Sequence, residues 1–149
     1  MDESTLMDKL RRIEALYAGA TTAGEKDAAG RARQRILERL AQWERTDPPT
    51  EFHFSMGDMW SRKVFVALLR RYDITPYRYK RQRHTTVMAR MPTTFVDETL
   101  WPEFKEISDT LQRYLSEVTE RVVSEVLHED SSDADVVLEP RKLPFGIED

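Results

Sequence analysis

The chain is 149 residues long, 40% hydrophobic and 34% charged, with a net charge of −4 and no cysteine. That length and balance fit one globular domain able to bury a core, and exclude a disulfide-built scaffold, a thiolate metal site and a cysteine nucleophile. No apolar run reaches the about 18 residues a membrane span needs, and the acidic start Met1-Asp2-Glu3-Ser4 is unlike a signal peptide, so the expected location is cytoplasmic.

The periodicity predicts a first helix over 4–18, with Leu6, Leu10, Ile13 and Leu16/Tyr17 on one face and Gly19 as its stop. Thr22-Ala-Gly-Glu25 reads as a capping box for a second helix that runs to Glu44, with Ala29, Ala32, Ile36, Leu40 and Trp43 on one side. The short link over 20–23 favours an antiparallel helical hairpin over 4–45.

The stretch Lys9-Leu-Arg-Arg-Ile-Glu-Ala-Leu-Tyr-Ala-Gly-Ala-Thr-Thr-Ala-Gly-Glu-Lys-Asp-Ala-Ala, continuing to Leu40, resembles an N-terminal helical-hairpin domain of unknown function found in bacterial and phage proteins. The later order, a Trp-led helix, a short hairpin and a long helix, is similar to longer members of that group. The resemblance rests on packing and capping residues over about a quarter of the chain. It implies a bacterial or phage origin and assigns no catalytic residue.

Thr46-Asp-Pro-Pro-Thr50 breaks the second helix. Glu51-Phe-His-Phe-Ser55 alternates as a short edge strand does, and Ser55-Met-Gly-Asp58 can cap a third helix running to Tyr72. The continuously apolar centre of that helix, Val64-Phe-Val-Ala-Leu-Leu69, predicts the most buried helix of the fold. From Asp73 to Met91 the pattern reads as a β-hairpin: Tyr77 and Tyr79 alternate with Arg78 and Lys80, and Val87, Ala89 and Met91 alternate with Met88 and Arg90. Its turn, Lys80-Arg-Gln-Arg-His84, lacks Gly, Asn and Asp, which argues for a longer loop than a two-residue turn; the ribbon must pack on the third or the last helix, and the Phe52 strand can join it as a third member.

A long helix is expected over 100–127, with Phe104, Ile107, Leu111, Leu115, Val118, Val122 and Val126 on one stripe and Pro102, Glu103 and Glu106 in or near its first turn. His128 to Asp135 reads as a flexible acidic linker, followed by a short apolar tail that holds Val136-Val-Leu138 and Leu143-Pro-Phe-Gly-Ile147. The expected fold is therefore α+β, mostly α: a helical hairpin, a buried third helix, a small β-hairpin and a long C-terminal helix. One compact domain over 1–128, its second part 50–128, precedes the linker and tail at 129–149.

Charge is segregated along this order. From Trp60 to Met91 there are nine Lys/Arg against one acid, Asp73, a net of +8. From Pro92 to Asp135 there are three basic and twelve acidic residues, a net of −9. The candidate site is thus the hairpin residues Tyr77, Arg78, Tyr79, Lys80, Arg81, Arg83, His84 and Arg90 with Arg70 and Arg71, backed by Arg62 and Lys63. Cations of this density can sit on a phosphate backbone, and tyrosines among them can stack on bases of DNA or RNA. Two plainer readings stand beside it: the acidic last helix faces and neutralises the hairpin, or the charges are simply solvated. The competing function is a protein–protein adaptor or homodimer that uses the stripe and acidic face of the last helix. Glu125-Val-Leu-His128 has a helical metal-site spacing but lacks the further carboxylates such sites use. No Gly-rich phosphate loop, nucleophile elbow or nucleophile–base pair is specified, so no cofactor is implied and a binding role is expected ahead of catalysis.

Overall fold

The computed structural model describes residues 1–17 and 26–138, with backbone alone over 26–33. The Gly19 stop, the Thr22–Glu25 capping box, the 20–23 link, the side chains of Ala29 and Ala32, and the tail from Glu139 lie outside the described residues. The elements are α1 (Glu3–Tyr17), α2 (Lys26–Thr46), β1 (Thr50–Ser55), α3 (Met59–Arg71), β2 (Thr86–Met91), the single turn α4 (Thr93–Phe95) and α5 (Trp101–Arg121). The fold is α+β and mostly α, with a two-stranded antiparallel sheet. Contacts divide the chain into a first unit, Met1–Leu115, and a second that begins at Ser116.

The start of α3 follows from its sequence. Asp58 takes an extended backbone and its carboxylate accepts the Ser61 amide at 2.7 Å and the Ser61 hydroxyl at 3.0 Å, which satisfies donors the first helical turn leaves open. α3 ends where expected, with Tyr72 as its C-cap, but by a closure the sequence does not announce. Asp73 adopts φ 57, its amide bonds to the Arg70 carbonyl at 3.1 Å, and the Ile74 amide bonds back to the Leu69 carbonyl at 2.9 Å. That is a Schellman closure with Asp in the place Gly usually takes, sealed by the buried Ile74.

β2 does not form the expected ribbon with the Tyr77 arm. Its partner along the whole strand is β1, from Thr50↔Met91 to Ser55↔Thr86. The Tyr77 arm meets the other edge of β2 through one bridge, with Tyr77 and Met88 exchanging amide bonds of 2.9 and 2.8 Å. Tyr77 and Tyr79 do lie on one side, both donating to Glu51, but no strand forms over 78–80, and β2 pairs along its full length with β1. Phe52 stands opposite Ala89 and Phe54 opposite Val87, so pairing with β1 places four core residues at once.

The last helix begins earlier than expected. Helical backbone starts at Thr93 and passes through a wide turn over Val96–Leu100 before α5. Pro102 explains the wide turn. It has no N–H, and its ring crowds the carbonyl four residues back; the chain answers with an i→i+5 bond from the Trp101 amide to the Val96 carbonyl. Leu100, expected at a helix start, is fully buried. Asp47, just past α2, supplies the missing cap: its carboxylate accepts both the amide and the hydroxyl of Thr94 at 2.7 Å.

The core of the first unit joins Ile36 and Leu40 of α2, Phe65, Leu68, Leu69 and Tyr72 around α3, Val87, Ala89 and Met91 of β2, and Phe95, Val96, Leu100 and Phe104. Phe65, Leu69, Phe95 and Leu100 are fully buried, and each contributes about 2–3 kcal/mol of apolar transfer. Trp43 and Trp101 lie against different rings of this core. Trp43 meets Phe95 at 6.0 Å, whereas Trp101 sits with Phe54, Phe65 and Phe104. In the second unit Val122, Val126 and Leu127 are exposed, a second i→i+5 turn spans Val122–Val126, and no helix or strand follows it as far as Leu138.

Within the first unit polar contacts around the buried Glu103 link three helices. Glu103 of α5 is fully buried and accepts the Tyr72 hydroxyl on Oε2, while its Oε1 has no hydrogen-bond partner among the described residues. Arg71 pairs with Glu14 of α1, and Tyr17 of α1 donates to Glu106 of α5 at 3.0 Å. Burial drives the Glu103 carboxyl up to about 7, helped by Glu14 and Glu106 and opposed by the Tyr72 hydrogen bond and Arg71. Burial and Glu103 likewise hold the Tyr72 phenol well above its ordinary value. Because the folded carboxyl holds its proton more tightly than the unfolded one, its contribution to stability is complete below about pH 4.5 and is lost as pH rises toward 7. Urea unfolding of the wild type should therefore lose stability, by about 3 kcal/mol at most, between about pH 5 and about pH 8. Glu103→Gln, which keeps an acceptor for Tyr72, should flatten that fall and be the more stable protein at the higher pH. A wild-type stability equal at both pH values would place the carboxyl at its ordinary value.

Candidate nucleic-acid interface

The basic segment runs off the end of α3. After the Asp73 closure the chain reaches Tyr77, is fixed there to Met88 of β2, loops over 78–85 and re-enters the sheet at Thr86. The loop is held by its own bonds. The Gln82 amide donates to the Tyr79 carbonyl at 3.2 Å, the Tyr79 amide to the Gln82 Oε1 at 2.8 Å, and the Thr86 amide to the Arg83 carbonyl at 3.0 Å. Gln82 Nε2 also reaches the buried Met88 sulfur at 3.6 Å. Arg81 sits at φ 80, a left-handed conformation in which a long side chain is uncommon.

This scaffold turns Arg78, Lys80, Arg81, Arg83 and His84 outward; all five are exposed. None of them has an ion pair among the described residues, whereas Arg71 is half-buried and engaged with Glu14. Arg90 stands opposite Glu51 across the sheet and helps hold that carboxylate below its ordinary range. Arg70 is exposed in the last turn of α3. So the structure gathers seven of the ten candidates over 77–84, five of them exposed and without ion pairs among the described residues, leaves Arg70 exposed on α3 and engages Arg71 and Arg90 elsewhere.

The two tyrosines are placed by Glu51, a residue the sequence reading did not single out. Both the Tyr77 and the Tyr79 hydroxyls donate to Glu51 Oε2, and the rings meet edge to face at 5.6 Å. These hydrogen bonds are the main reason that Glu51 titrates low and both phenols titrate high. Tyr77 is half-buried, and Tyr79 keeps 52% of its surface exposed. The signal for Glu51 was present in its alternation on β1, but which strand would lie beneath the tyrosines depends on long-range pairing.

Among the described residues no group of three or more His, Asp and Glu is arranged to hold a metal ion, and no helix is long and apolar enough to cross a membrane. Glu51→Ala removes the shared acceptor. Ultraviolet titration should then show the Tyr77 and Tyr79 phenols ionising nearer the ordinary tyrosine value; an unchanged titration would show that Glu51 does not hold them. Comparison with protein-family models, with curated proteins and with solved structures finds no match to this chain.

Proposed function

We propose that this chain is a small accessory protein, of bacterial or phage type, that binds nucleic acid or another polyanion through the loop over 77–86. The observation that carries the reading is the set Arg78, Lys80, Arg81, Arg83 and His84: exposed, within seven residues, and without ion pairs among the described residues. A cation already paired must give up its partner before it meets a phosphate; these need not. The loop is also bonded to itself and to β2, so little chain entropy is lost when a ligand orders it. The net charge of −4 does not oppose a local field of this kind, because at physiological salt exposed charges farther away than about 8 Å are largely screened.

A second reading, a protein–protein adaptor or homodimer through the last helix, draws on the exposed Val122, Val126 and Leu127. Neither reading involves catalysis.

Fluorescence anisotropy with labelled DNA and RNA over a salt series separates them. Under the first reading, log affinity falls linearly with log salt, with a slope of about −3 for about four phosphate contacts. The variant with Arg78, Lys80, Arg81 and Arg83 all changed to Glu should lose binding while its far-ultraviolet circular dichroism stays that of the wild type. Undiminished binding in that variant sinks the first reading. Absence of binding even at low salt, together with a dimeric mass by sedimentation, establishes the second.

A further inference from the structure

We infer that the ligand of this loop is single-stranded nucleic acid, with Tyr79 as the ring on which a base stacks. The inference rests on the polyanion reading and adds to it the form of the polyanion.

Two observations carry it. First, the loop cations do not lie on an element that reads a duplex. A major groove is entered by a helix or a two-stranded ribbon. The sequence pattern suggested a ribbon over 73–91, but β2 spends its pairing on β1, and only the bridge at Tyr77 joins the other arm. The cations lie on a short loop, which can track phosphates but cannot seat itself along a groove. Second, Tyr79 is a fixed and accessible ring in the midst of those cations. Arg78 and Lys80 are its chain neighbours, and Arg81 and Arg83 follow. Its hydroxyl is held by Glu51, its backbone amide by Gln82, and its ring is set against that of Tyr77. With these restraints it still exposes 52% of its surface.

A ring so tethered loses little freedom when a base meets it. Stacking on an aromatic side chain tolerates any base, because every base has a π-face. In a duplex those faces are covered by neighbouring base pairs, so the same ring gains nothing there. Cations beside an exposed ring thus discriminate by strandedness rather than by sequence. Glu51 does not defeat this arrangement: its carboxylate is occupied by the two hydroxyls and faced by Arg90 across the sheet.

The test uses one oligonucleotide of about 20 nucleotides, alone and annealed to its complement, by anisotropy at matched salt. Wild-type protein should bind the single strand about tenfold more tightly than the duplex. Tyr79→Leu should weaken single-strand binding by about tenfold and leave duplex binding as it was, erasing the preference; Tyr79→Phe should retain it. Equal affinity for both forms, with Tyr79→Leu silent and the fourfold charge reversal still abolishing binding, would overturn the inference and leave the polyanion reading standing. Binding to neither form at low salt would overturn both.

Discussion

β2 has two edges and unequal partners, and the position of the basic loop depends on that inequality. One edge pairs with β1 through six residue pairs, and that pairing brings Phe52 and Phe54 over Ala89 and Val87. The other edge takes Tyr77 alone. Had the Tyr77 arm been the main partner, the cations would alternate along a strand, half of them on the face that packs on α3. With a single bridge the chain leaves the sheet at once, and every charged residue from Arg78 to His84 reaches solvent. The apolar content of β1 therefore decides the exposure of residues more than twenty positions away.

Within the first unit, few of the segregated charges meet each other. One plain reading of the sequence has the acidic last helix facing and neutralising the basic middle. Among the described residues of 60–91, the cation that pairs with an acid is Arg71, and its partner Glu14 comes from α1. Glu103, counted with the acidic segment, is turned inward to Tyr72, and Glu106 takes the Tyr17 hydroxyl. Arg71 and Glu103 thus belong to the packing of three helices, and the loop cations keep their charge unspent.

What was legible beforehand was local. Asp58 followed by an apolar run is a capping signal whose bonds lie within three residues, and it could be read directly. The stripe that begins with Phe104 and Ile107 repeats at helical spacing, and both do pack on the core. What was missed needed distant partners. Pro102 marks a helix start in most sequences; here Asp47 caps the helix eight residues earlier, and a wide turn absorbs the proline. Glu103 looked like an acid at the positive end of a helix, because nothing in its neighbours reveals that Tyr72 will be beside it. The tyrosines suggested base stacking, but the residue that orients them, Glu51, lies on a strand whose partner no local pattern could choose.

Arg81 shows what the loop gives up for its charge. At φ 80 a residue with a Cβ is held in a conformation that costs on the order of 1 kcal/mol or more, and the residues that accept it readily, Gly, Asn and Asp, carry no positive charge. No coded side chain relaxes that backbone and keeps a cation at the tip. The position therefore sets folding stability against surface chemistry. Selection for stability alone would drift it toward glycine, whereas a ligand that needs the guanidinium would keep it strained.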